Sequence, residues 1–80
     1  MENWEIKEGK LCREFVFKNF KIAIDFVNQV AILAEKMNHH PDIFVNNYKK
    51  VEIYLYTHSE NKITSRDHEL AGEIDKIYKV

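Results

Sequence analysis

Glu35-Lys36-Met37-Asn38-His39-His40-Pro41 is the stretch of this chain best equipped for acid–base chemistry. Imidazole titrates near neutral pH, so a histidine both gives and takes protons there. Glu35 and His39 stand four residues apart and face the same way if the last helical turn holds. A carboxylate so placed accepts from one ring nitrogen and fixes the tautomer. An exposed histidine pair at a helix C-terminus also has a plainer reading, because a cation suits the negative end of the helix dipole.

His58 and Asp67 are the other candidates. His58 lies in phase with Glu52, Tyr54 and Tyr56 and out of phase with Val51, Ile53 and Leu55. Strict alternation therefore points it away from the apolar side of its strand. It meets His39 and His40 only at the rim of a sheet, or if the strand bends; otherwise it is a solvated strand-end histidine. Asp67 follows Thr64 by three, the spacing of a capping box at a helix start. A second role for Asp67, holding His58, is open. His39 and His58 both end elements, so removing either is expected to cost little stability.

Other chemistries fit less well. Three histidines and a water make a known zinc arrangement, but adjacent histidines rarely both reach one ion, and there is no HExxH. No metal is expected. Cys12 sits mid-strand with no histidine nearby in sequence, a poor nucleophile. There is no glycine-rich phosphate loop. Phe15, Phe17, Tyr54 and Tyr56 read as sheet packing rather than base stacking.

The elements that position these groups follow from hydrophobic period. Trp4 and Ile6 alternate with charged residues. After Glu8-Gly9-Lys10, Leu11, Arg13, Phe15 and Phe17 alternate with Cys12, Glu14, Val16 and Lys18, a two-stranded hairpin. Asn19 is a candidate N-cap. Ala23, Phe26, Val27, Val30, Ala31, Ala34 and Met37 then make one face of a helix from about Phe20 to about Asn38. Pro41 disfavours helical geometry at His40 and sets its end. Ile43-Phe44-Val45, an Asn46-Asn47 turn, and alternating Val51, Ile53 and Leu55 give two more strands. Thr64 opens a second helix, whose apolar face is Leu70, Ala71, Ile74, Ile77 and Tyr78. Hairpins interspersed with helices imply an antiparallel sheet with the helices packed on one face.

Composition bounds the rest. Eighty residues make a single domain, residues 1–80, with 45% hydrophobic and 31% charged residues and a net charge of -1. Such a chain buries only about 60–65% of its unfolded surface, so self-association is a reasonable aid to stability. No basic surplus exists to neutralise many phosphates, which argues against nucleic acid as a partner. The longest stretch without Asp, Glu, Lys or Arg, Phe26 to Ala34, is too short to span a membrane. Met1-Glu2-Asn3-Trp4-Glu5 has no apolar leader core. The single cysteine excludes an internal disulfide and fits a reducing, cytoplasmic setting.

Taken together, the spaced residues resemble a family signature. Glu35, His39-His40-Pro41, Tyr48, His58 and Asp67, separated by three, six, nine and eight residues, are similar to the pattern of the pterin-4a-carbinolamine dehydratases. Leu11 to Phe20, Val30-Ala31, Ala34-Glu35-Lys36, Lys50-Val51, Thr57-His58 and Leu70-Ala71 agree with it, so the resemblance runs from about Trp4 to Ile74. It implies an α+β fold with a four-stranded antiparallel sheet. It also implies a homodimer or homotetramer, and dehydration of a 4a-hydroxytetrahydropterin with no cofactor. By matching position, His39, His40 and His58 would be catalytic and would contact the pterin. Asn38, Thr57 and Ser59 would line the pocket, while Glu35, Asp67 and Trp4 would support it. Pro41 and Tyr48 are one residue further apart than is common in the family, which suggests a bulge between them. Asn61-Lys62 stands where glycine is frequent. The same fold serves some members as an interaction module, so a non-catalytic role is the alternative.

Overall fold

A computed structural model describes residues 3–78. Met1 and Glu2, part of the stretch read for a leader, and the last two residues of the domain lie outside the described residues. The chain forms β1 (Glu5–Lys7), β2 (Lys10–Val16), α1 (Phe20–Met37), β3 (Asp42–Asn46), β4 (Lys50–Leu55) and α2 (Ser65–Ile77). The strands make one sheet in the order β1-β2-β4-β3, and every neighbouring pair is antiparallel.

Turn chemistry sets the register. Glu8 and Gly9 both take positive φ, 51° and 78°, the handedness a two-residue hairpin needs to match strand twist. Lys7 therefore pairs with Lys10, Leu11 is brought opposite Leu55, and Phe15 opposite Val51. Between β3 and β4, Asn47 and Tyr48 are also left-handed. The additional residue between Pro41 and Tyr48 does not make a bulge. Pairing from Asp42↔Tyr54 to Asn46↔Lys50 is unbroken.

The alternation places Leu11, Phe15, Phe17, Val51, Ile53 and Leu55 on one face, all buried. Ala23, Phe26 and Val30 of α1 and Leu70, Ala71 and Ile74 of α2 close over them in one core. Phe26 sits 4.9 Å, centroid to centroid, from both Phe15 and Phe17. Aromatic contacts of this kind add about 0.5–1.5 kcal/mol each beyond area burial. Both helices thus lie on one side, as the pattern implies.

Helix ends direct the chain to the rim. Asn19 caps α1 by accepting from the Ile22 N–H at 2.9 Å. At the other end Asn38 is left-handed, with φ 50° and ψ 45°. Its N–H donates to the Glu35 carbonyl, and the His39 N–H reaches back to the Ala34 carbonyl. That is a Schellman cap, in which the residue after the left-handed one folds back against the helix. Here that residue is His39.

Candidate active site

The C-terminal cap of α1, the chain leaving β4 and the first turn of α2 meet at one rim of the sheet. Each of the six residues expected to contact substrate, Asn38, His39, His40, Thr57, His58 and Ser59, lines a single cleft of about 210 Å³ there. Tyr56 and Arg66 complete its wall. The difficulty over the facing of His58 resolves at the rim. Thr57 is buried, and the chain turns sharply after it. The Thr57 and Lys62 backbones bond to each other across the turn, which leaves His58 exposed at its start. A larger cleft, about 470 Å³, lies on the open face of the sheet between Lys7, Lys10, Asp42, Phe44 and Tyr54. It contains no histidine; its titratable side chains are Lys7, Glu8, Lys10, Asp42 and Tyr54.

Asp67 is the centre of the arrangement. Its carboxylate is fully buried. Oδ1 lies 2.6 Å from His39 Nε2. Oδ2 accepts from the Thr57 hydroxyl at 2.7 Å and from the Thr64 N–H at 2.8 Å. The Thr57 proton is committed to Asp67, so the Thr64 hydroxyl, 2.7 Å away, donates to Thr57. Burial pushes the Asp67 carboxyl up, but hydrogen bonds from His39, Thr64 and Thr57 outweigh it, and the carboxyl is held below its usual 3.8. An ionised carboxylate only accepts. Neutral His39 therefore carries its proton on Nε2 and keeps its lone pair on Nδ1.

Two expected partnerships are corrected. Glu35 does not meet His39. The left-handed Asn38 ends the helical periodicity, so Glu35 Oε2 instead sits 2.6 Å from His40 Nε2, on the surface. Asp67 does hold a histidine besides capping α2, but it holds His39 rather than His58. Burial is corrected with it: His39 is only 7% exposed and is no loosely attached element end.

Trp4 is not among the residues that line the cleft. It is buried against Phe15, and its Nε1–H donates to the Asp75 carboxylate at 3.0 Å, beside the Arg13 guanidinium at 2.6 Å from the same group. Arg66 is the residue that spacing did not single out. Its guanidinium donates to the Asn38 carbonyl at 2.8 Å and ties the α1 cap to the start of α2. Arg66 lies in the first turn of α2, 28 residues from Asn38, so no local spacing signals the contact.

Among the described residues, no group of three or more His, Cys, Asp or Glu side chains is placed to hold a metal ion. No described helix is long and apolar enough to cross a membrane.

A family model described as pterin 4 alpha carbinolamine dehydratase matches residues 1–77. The chain belongs to that family. Among curated dehydratases of this name, it is 43% identical over 77 residues to a protein of Sulfolobus acidocaldarius, covering 96% of this chain and 84% of that one. It is 49% identical over 75 residues to one of Prochlorococcus marinus, covering 94% and 77%. Both are named "Putative pterin-4-alpha-carbinolamine dehydratase". A crystal structure of a transcriptional coactivator/pterin dehydratase from Brucella melitensis superposes with a TM-score of 0.90 at 38% identity, covering 99% of this chain and 85% of that chain. A pterin dehydratase-like protein identified as a RuBisCO assembly factor of the alpha-carboxysome shares the dehydratase fold, with a TM-score of 0.73 at 22% identity over 91% of this chain and 83% of that chain.

Proposed function

We propose that this chain dehydrates a 4a-hydroxytetrahydropterin to quinonoid dihydropterin and water, and so recycles a pterin cofactor. The observation that carries the reading is the convergence of three imidazoles on one cleft, two of them with carboxylate partners. The reaction needs two proton transfers. The 4a-hydroxyl takes a proton and leaves as water, and the N5–H proton goes to a base. The N5 lone pair supplies the push, so no covalent intermediate forms. Each positioned acid or base contributes typically about 10²–10⁴-fold. His39 and His58 act as alternating acid and base, and His40 mainly positions the ring. Asn38, Thr57 and Ser59 complete the wall.

The direct test is stopped-flow decay of 4a-hydroxytetrahydropterin with and without the protein. Exhaustive chelation is expected to leave the rate unchanged, because imidazoles alone carry the protons. Stoichiometric zinc whose removal and return switched the activity off and on would defeat this.

Assembly is part of the proposal. β3 lies at the sheet edge and exposes Phe44 and Val45, and Ile6 and Ile32 are also exposed. An edge with apolar side chains is stabilised by pairing. A homodimer or homotetramer is expected in sedimentation at micromolar concentration, and a stable monomer would count against it. Cys12, free and buried, suits a cytoplasmic setting.

A second reading has its own support. The dehydratase fold also occurs in a protein named as a RuBisCO assembly factor, and this chain exposes several large apolar side chains. A non-catalytic oligomeric interaction role predicts that histidine substitutions leave function intact.

A further inference from the structure

The three histidines are not held alike. His39 and His40 each place Nε2 2.6 Å from a carboxylate. His58 has no such partner among the described residues. Its ring instead meets the Tyr56 ring edge to face, with centroids 5.1 Å apart and planes at 80°.

Tyr56 is itself braced. Its hydroxyl donates to the Asn61 side-chain oxygen. The Lys10 ammonium stands 5.6 Å from the centroid of its ring. Asn61 is the left-handed residue of the turn after His58, with φ 55°, and its N–H donates to the His58 carbonyl at 3.2 Å. Tyr56 therefore touches the histidine ring directly and grips the turn that carries it. In the strand pattern this residue reads as sheet packing. In the fold it lies just beyond β4 and lines the cleft.

We infer that Tyr56 is a positioning residue for His58, doing with an aromatic contact what Asp67 and Glu35 do with carboxylates. The inference rests on His58 being an acid–base group of the proposed reaction. An edge-to-face pair favours one ring orientation by a factor of roughly 2 to 12. That factor bounds the effect of losing it, which is smaller than the effect of losing the imidazole.

The test uses the full chain with Tyr56→Leu and Tyr56→Phe. Three quantities are measured: kcat and KM for 4a-hydroxytetrahydropterin, the His58 χ1 rotamer distribution from three-bond NMR couplings in the free protein, and the melting temperature. Couplings are read instead of ring-proton shifts, because losing the Tyr56 ring current alters those shifts whether or not His58 turns. Leucine is expected to lower kcat by about 3- to 10-fold with KM within about twofold, since orientation and not binding is lost. The His58 couplings should move toward rotamer-averaged values. Phenylalanine, which keeps the ring and lacks only the hydroxyl bond to Asn61, should restore most of both. Unchanged His58 couplings in the leucine variant overturn the inference. So does wild-type kcat in that variant when His58→Ala is impaired, or a fall in kcat and melting temperature that phenylalanine does not restore. If the wild-type chain has no dehydratase activity, the proposed function falls, and the couplings alone decide whether Tyr56 orients His58.

Discussion

Alanine at His58 is expected to lower kcat at least about tenfold while leaving stability within roughly 1 kcal/mol of wild type. The side chain is exposed at the rim and its removal opens no core. A rate loss there reports proton transfer rather than packing. His39→Ala should lower kcat by at least as much, but with a different accompaniment. His39 is buried and donates to a buried carboxylate, so its loss costs roughly 1–3 kcal/mol. The double variant should lose far more rate than either single one, because no second imidazole remains to carry the proton. Stopped-flow rates and chemical denaturation on the same preparations separate the two contributions. Near wild-type dehydration by a folded double variant would show that neither imidazole carries the reaction.

Substitution of Asp67 is expected to give the largest loss of stability. Its carboxylate caps α2, accepts from Thr57 and orients His39. Asp67→Ala leaves buried donors of His39, Thr57 and Thr64 without an acceptor, at a cost of about 1–3 kcal/mol for each one that stays unsatisfied. Asp67→Asn preserves shape but puts an N–H₂ where a donor must be accepted, so it is also destabilising and disturbs the His39 tautomer. The pH dependence follows from the carboxyl being held below its usual 3.8 in the fold. Its stabilisation is complete above the unfolded-chain value. It drains away as pH falls below about 4 toward the folded value, because the unfolded chain takes up its proton first. Melting temperature between pH 5 and pH 2 should therefore fall more steeply for wild type than for Asp67→Asn. Parallel curves would assign the acid sensitivity to other carboxylates.

The fold was legible because period and turn chemistry agree along this chain. Alternation at Leu11 to Phe17 and Val51 to Leu55, a 3.6 period from Ala23 to Met37, and Thr64 with Asp67 each named their element. The family was carried by the resemblance, which the matching family model and the Brucella melitensis structure bear out. The fold also brings the six candidate residues together along one cleft. What could not be read was pairing inside the site. Spacing of four assigns Glu35 to His39 only while the helix continues, and one left-handed asparagine exchanged the partners. The contacts of Trp4 and Arg66 are hidden for a related reason. They are made with Asp75 and Asn38, which no single element's period contains.

The shared carboxylate of Asp67 has a consequence for motion. The wall of the cleft that carries His39 cannot swing outward without exposing an ionised group that also pins α2 and Thr57. Its opening is therefore tied to global unfolding, and the His39 amide, bonded to Ala34, should exchange its hydrogen as slowly as the core. The opposite wall, from His58 to Asn61, is an exposed turn closed by a few local bonds. Exchange there should be faster by orders of magnitude. The two walls of one cleft are then expected to differ in local stability, one held with the core and the other by the bonds of its own turn.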